Sequence, residues 1–200
     1  MFKQAANQQL LQNVSACCMY IENDDCWTSA VVLTKEYAVT ALHCIPDSFR
    51  KIGSLVILHD AHGQQHNGQI HGMNEISDYA VIKKTDGVFG SVPELASPML
   101  LDKYIVLGFT FGERKPSVRL GHISSLSTGT KGFFYGDSGS LPGFSGGGVF
   151  YERSGALMGI ARGCDWDGKV TKQYSDVLEM ISAQVILGHV ELFRHQPFSV

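Results

Sequence analysis

Turn signals recur about every ten residues along this chain, and that rhythm constrains the fold more than any other feature. Between the turns lie short runs rich in β-branched and aromatic residues: SACCMYIE, WTSAVVLT, EYAVTALHC, SLVILHD, GQIHGMN and DYAVIKK in the first half. KYIVLGF, SVRLGHISS, GGVFYE, ALMGIAR and VTKQYSD follow in the second. Such spacing favours an antiparallel all-β barrel or sandwich over βαβ units, whose strands would alternate with helical stretches. Roughly six strands fall on each side of the polar, proline-containing stretch Thr85–Pro98, which predicts two six-stranded antiparallel β-barrels joined there. Residues 1–200 are read as one domain, with subdomains over 14–92 and 99–187 and any functional site between them. Two stretches read as helical: QAANQQLLQ within residues 1–12, and a C-terminal helix over Val177–Leu187. The tail after Gly188 carries no signal.

Composition narrows the class of function. A chain of 200 residues with 44% hydrophobic and 18% charged residues is an ordinary globular protein, with no case for disorder. The net charge of −3 and the dispersed basic residues argue against a nucleic-acid partner. No apolar run reaches the roughly 18 residues of a membrane helix, and MFKQAANQQLLQNV has no signal-peptide core, so the expectation is an intracellular protein with no membrane partner. Five cysteines, with Cys17 and Cys18 adjacent, fit a reducing compartment better than a disulfide framework. No CxxC pair marks zinc. His59, His62, His66 and His71 form a histidine cluster, but a polar hairpin between two strands accounts for it, so no metal is expected.

The chemistry-bearing stretch is GDSGSLPGFSGGG at 136–148. Glycines around a serine permit a sharply turned backbone that exposes the hydroxyl and aims neighbouring N–H groups at one point, the geometry of an oxyanion hole. His43 follows an apolar strand in VTALHC, where a near-neutral imidazole can act as general base. Asp78 precedes the apolar run YAVIK, and a carboxylate entering buried surface needs a partner such as an imidazole N–H. Taken singly, each has a structural reading: a core histidine, a strand-capping aspartate, a flexible glycine loop.

Taken together and in this order, they make the chain resemble the trypsin-like (chymotrypsin-fold) serine peptidases. The matching segments are TALHC at 40–44, SDYAVI at 77–82, PGFSGG at 142–147 and GALMGI at 155–160. VLGFTFG at 106–112 with RLGHISS at 119–125 is similar to the HtrA-like, bacterial-type branch, and the short gaps between motifs also resemble compact viral members. The resemblance implies a serine endopeptidase without cofactor, acting on protein or peptide chains, possible within a polyprotein or beside a partner domain. His43, Asp78 and Ser145 would be catalytic. The turn Gly143, Phe144, Ser145 would form the oxyanion hole, with the amides of Gly143 and Ser145 as donors. Ser138 competes for the nucleophile, because GDSG at 136–139 is the string of secreted trypsins. Ser145 is preferred because the strand-turn-strand GVFYE, RSG, ALMGI follows it.

The same resemblance places Gly139 and Ser140 near the base of a specificity pocket, and Ala161, Arg162, Gly163 and Cys164 along its wall. Arg162 and Lys172 would either make that pocket basic or lie on solvated surface. Cys26 and Cys44 occupy positions where trypsins carry a disulfide, and the Cys44 side chain is expected to point away from His43, as neighbours in an extended segment do. Two departures stand out. Phe144 replaces the aspartate that receives a new N-terminal amine in secreted trypsins, and Arg162 falls where a small polar residue is usual. Both leave a second function open, a peptidase-fold binding or scaffolding module with an unassembled triad.

Overall fold

The structure is a computed structural model describing residues 2–23, 26–110, 113–127, 132–163, 176–193 and 196–199. In the first half, β1 (Cys18–Asn23), β2 (Cys26–Val32), β3 (Tyr37–Ala41), β4 (Leu55–Asp60), β5 (Gln65–Asn74) and β6 (Tyr79–Lys84) hydrogen-bond in the order β5-β4-β1-β2-β3-β6. A further β5–β6 pairing closes that sheet into a ring. In the second half, β7 (Lys103–Gly108), β8 (Ser117–Ser125), β9 (Phe133–Gly136), β10 (Gly148–Tyr151), β11 (Leu157–Gly163) and β12 (Leu178–Ser182) form a closed barrel in the order β7-β8-β9-β12-β11-β10. These are the two six-stranded antiparallel barrels of a chymotrypsin-like fold, as the turn spacing predicts. Closure removes the exposed strand edges that invite aggregation.

Where the barrels meet, side chains are buried on both strand faces. YAVTA in β3 is buried at all of its positions because β11 of the second barrel lies against it. The second barrel has an interior of its own, built from Tyr104, Val106, Ile123, Phe134, Phe144, Val149, Met158 and Met180.

The stretch Val177–Leu187 corrects the expectation of a single helix. Leu178–Ser182 is β12, paired on one edge with β9 and on the other with β11, and only from Ala183 does the chain turn helical as α2 (Ala183–Leu192). Ladder hydrogen bonds on two edges outweigh the helical pattern of VLEMIS, and the Ser182 hydroxyl then accepts from the Val185 N–H at 3.5 Å as an N-cap. The strand expected over VTKQYSD lies outside the described residues except for Asp176. Near the N-terminus α1 (Phe2–Ser15) runs past the expected end at residue 12.

After α2 the chain returns to the first barrel. Ala183, Ile186 and Val190 face the core, and His189 Nδ1 meets the Tyr79 hydroxyl of β6. A short β13 (Phe198–Ser199) then pairs in parallel with Gly72 and Met73, on β5 beyond the point where β4 ends its pairing. Gly72 is required there, since a Cβ would run into the Phe198 ring. Among the described residues no helix is long and apolar enough to cross a membrane.

Candidate active site

β3 delivers His43 to the groove between the barrels. The strand ends at Ala41 and the chain tightens into a 3-10 turn, Leu42–Cys44. That turn is fastened to the β5–β6 connection: the Leu42 N–H donates to the Asp78 carbonyl at 3.1 Å, and the His43 N–H to Asp78 Oδ1 at 2.9 Å. Asp78 takes a left-handed backbone, φ 54°, which aspartate tolerates better than most residues. The conformation holds because both its backbone carbonyl and its carboxylate are bonded to the histidine turn. Its other oxygen, Oδ2, lies 2.6 Å from His43 Nδ1.

Ser145 arrives from the second barrel, on the loop between β9 and β10. Its Oγ lies 3.1 Å from His43 Nε2 and donates to the Arg162 carbonyl at 2.9 Å. The loop is held from both barrels. The Ser29 N–H of β2 donates to the carbonyls of Gly143 and Ser145, both at 3.1 Å, and the Thr28 hydroxyl donates to the Ser145 carbonyl at 2.8 Å. Those bonds fix the Gly143–Phe144 and Ser145–Gly146 peptides, whose N–H groups donate to the Leu141 and Ala161 carbonyls. Phe144 donates to the Leu141 carbonyl at 3.0 Å, whereas the N–H groups of Gly143 and Ser145 have no acceptor among the described residues. Gly143, at φ 94°, must be glycine on two counts, since a Cβ would also strike the Phe109 carbonyl.

Electrostatics couple these groups. Burial favours the protonated form of Asp78, but hydrogen bonds from His43, and then the nearby Arg162 charge, outweigh it and hold the carboxyl below its usual range. The imidazole is pushed up, chiefly by the Asp78 hydrogen bond and next by the Cys44 thiol, against burial that pulls it down. Cys44 is therefore a correction. In a 3-10 turn successive side chains do not alternate as they do in a strand, and the thiol stays near enough to the imidazole to add to that upward shift. Cys44 is a free thiol, and the side chain of Cys26 falls outside the described residues.

Ser138 is not brought to His43. It is buried in the second barrel, where its Oγ accepts from the Tyr104 hydroxyl at 2.8 Å and donates to the Gly139 carbonyl at 2.9 Å. Ser140 is likewise buried, and the Gly139 N–H donates to the Asp176 carbonyl at 3.0 Å. Along the expected pocket wall, Ala161 is fully buried and exchanges both ladder bonds with the nucleophile loop: Gly146 N–H to its carbonyl at 2.7 Å, and its own N–H to Gly147 at 2.8 Å. Gly163 carries φ 126°, while Cys164 and Lys172 lie outside the described residues.

The Arg162 side chain turns inward and does not lie on solvated surface. Its Nε donates to Asp78 Oδ2 at 2.9 Å and its Nη1 meets Glu179 Oε2. Burial works against its charge, but those two carboxylates, Glu179 foremost, more than compensate. Glu179 is the site residue that the sequence did not reveal, because β12 reads there as a helix. Phe144 is fully buried in the second barrel and packs on Gly108, where any Cβ would collide with it. An apolar anchor fixes the loop where secreted trypsins use an ion pair.

The histidine cluster disperses. His59 stacks on Tyr20 with ring centroids 4.9 Å apart, and the β4–β5 turn is tied by Asp60 Oδ1, which accepts from the N–H groups of His62 and Gln64. His66 lies 3.5 Å from Asp60, and His71 is buried between Tyr37 and Phe198.

Two closed barrels with an imidazole, a carboxylate and a serine hydroxyl in the groove between them define the serine-type endopeptidase architecture. The chain belongs to the trypsin-like peptidase domain family, whose model matches residues 28–160, from β2 through β11 and across all three side chains. Among solved structures it is similar to the crystal structure of the serine endoprotease from Yersinia pestis. That likeness has a TM-score of 0.75 at 21% identity and covers 94% of this chain and 67% of that one. No curated protein gives a significant sequence match.

Proposed function

We propose that this chain hydrolyses peptide bonds of protein or peptide substrates through Ser145 and a covalent acyl-enzyme. The carrying observation is the unbroken path from Asp78 Oδ2 to His43 Nδ1 at 2.6 Å, and from His43 Nε2 to Ser145 Oγ at 3.1 Å. With Nδ1–H donating to Asp78, Nε2 is free to take the serine proton once the hydroxyl turns to it from the Arg162 carbonyl. As Oγ bonds to the scissile carbonyl carbon, the proton moves to Nε2 and the carbonyl oxygen gains the negative charge. The N–H groups of Gly143 and Ser145, which have no acceptor among the described residues, are available to that oxyanion. His43 then gives its proton to the leaving amine, and the C–N bond breaks. A water attacking the acyl-enzyme repeats the sequence, with His43 as base and Ser145 Oγ as leaving group. Asp78 stays ionised throughout and stabilises the imidazolium.

Phe144 and Arg162, the two departures that favoured a binding module, support the catalytic reading instead. The first anchors the nucleophile loop in the barrel interior, and the second bonds directly to Asp78. A fluorophosphonate probe tests the assignment. Labelling is expected on the wild type and on Ser138→Ala, and its loss in Ser145→Ala alone. Labelling that survives in Ser145→Ala and vanishes in Ser138→Ala would defeat it.

A further inference from the structure

Arg162 touches both ends of the site. Its carbonyl accepts from the Ser145 hydroxyl at 2.9 Å, and its Nε bonds to Asp78 Oδ2, the same oxygen that faces His43 Nδ1. Behind it, Nη1 meets Glu179 of β12, and the guanidinium carbon lies 5.0 Å from the centre of the Phe133 ring of β9. Three strands of the second barrel thus hold one cation against a carboxylate of the first. The Asp78, Glu179 and Arg162 side chains are only 13%, 8% and 24% exposed, so water screens them weakly.

We propose that Arg162 and Glu179 form a positioning pair that sets the proton affinity of His43 through Asp78, and with it the pH at which Ser145 becomes reactive. The last clause rests on the peptidase reading; the titration itself does not. Asp78 alone would favour the imidazolium strongly. A cation on the same carboxylate oxygen removes part of that preference, and Glu179 removes part of the cation's effect. Imidazole, carboxylate, guanidinium and carboxylate therefore alternate in sign along a row. The other polar and charged groups near His43 are the Cys44 thiol and Arg50, whose Nη2 donates to the His43 carbonyl at 3.2 Å and whose Nη1 pairs with Asp47 at 2.8 Å. They are unchanged in the variants below.

The test follows the His43 imidazole by NMR titration in the full chain, beside the pH profile of kcat/KM. Glu179→Gln frees Arg162 to act on Asp78 undiminished, so the His43 pKa is expected to fall by about one unit. Arg162→Gln combined with Glu179→Gln leaves Asp78 uncompensated, and the pKa is expected to rise above the wild-type value by roughly half a unit or more. Arg162→Lys keeps the charge but not the fork that spans Asp78 and Glu179, so its His43 pKa is expected to lie between wild type and the double variant. The double variant removes one charge of each sign and leaves Asp78 its hydrogen bonds from His43, so it decides the matter should Glu179→Gln fail to fold. A His43 titration unmoved in the double variant overturns the proposal, as does an upward shift in Glu179→Gln. Shifts as expected in a protein that cleaves nothing and takes no probe would support the pair while counting against the peptidase reading.

Discussion

Ser29 belongs to the first barrel, yet its hydroxyl donates to the Gly143 carbonyl of the second at 2.6 Å and accepts from the Phe109 N–H at 2.8 Å. One side chain therefore links the nucleophile loop, the end of β7 and the sheet that carries His43. Thr40 completes the arrangement by donating to the Ser29 carbonyl at 2.7 Å.

Ser29→Ala is expected to lower kcat by about 10- to 100-fold with little change in KM, because the Gly143 carbonyl keeps only the Ser29 N–H, shared with the Ser145 carbonyl, to hold the loop. The buried Phe109 N–H also loses its acceptor, at a cost of about 1–3 kcal/mol. Steady-state kinetics and urea denaturation check the two effects separately. A variant with wild-type kcat would remove Ser29 from this account.

The raised His43 pKa dictates the sign of the pH dependence. With neutral imidazole as the proposed base, kcat/KM should climb with pH along a limb centred above about 6.5, the ordinary imidazole value. A limb at or below that value would contradict the coupling to Asp78. Stability has its own signs. The His43 contribution is full below the unfolded imidazole pKa and is lost as pH rises through the raised folded value. That of Asp78 is present above the unfolded carboxylate pKa and is lost as pH falls through the lowered folded value. Asp78→Asn should flatten both dependences and reduce kcat by about 10⁴-fold, as loss of the orienting carboxylate does elsewhere. Urea midpoints across pH measure the first, and progress curves the second.

Ser138→Ala separates structure from chemistry. It should keep kcat/KM within about two-fold while losing about 1–2 kcal/mol of stability, since the buried Tyr104 hydroxyl keeps no acceptor there. Thermal unfolding beside a peptide-cleavage assay distinguishes this from a catalytic role, which would show the reverse pattern.

Phe198→Ala tests the C-terminal return. The ring is buried against Gly72, His71 and Phe193, and its removal should cost about 3–5 kcal/mol. Amide exchange at Gly72 and Met73 is expected to quicken, and unchanged exchange there would show that β13 does not hold that edge.

The barrels were legible in the sequence because each strand candidate is short, apolar and bounded by turn residues, and His43, Asp78 and Ser145 each stand beside such a strand. What escaped did so for physical reasons. FFYG in β9 spans only Phe133–Gly136, too short for alternation to register, and LEMIS in β12 shares its apolar spacing with a helix. The fate of Arg162 depended on Glu179, a residue 17 positions away whose strand had been misread. Its side chain turns inward because two buried carboxylates wait there, and a lone arginine in a sequence carries no mark of that. Cys44 escaped because the tightening from β3 into a 3-10 turn is imposed by the Asp78 carbonyl across the barrel, not by the local residues.

The parallel pairing of β13 with β5 gives the molecule an order of completion. Gly72 and Met73 belong to the first barrel, but the partner that covers their edge comes after the whole second barrel in the chain. The β5–β6 pairing already closes the barrel bearing the imidazole and the carboxylate, and β13 supplies the cover for the β5 edge that remains. Severing the chain anywhere within the second barrel therefore also parts the first barrel from the segment that covers its edge.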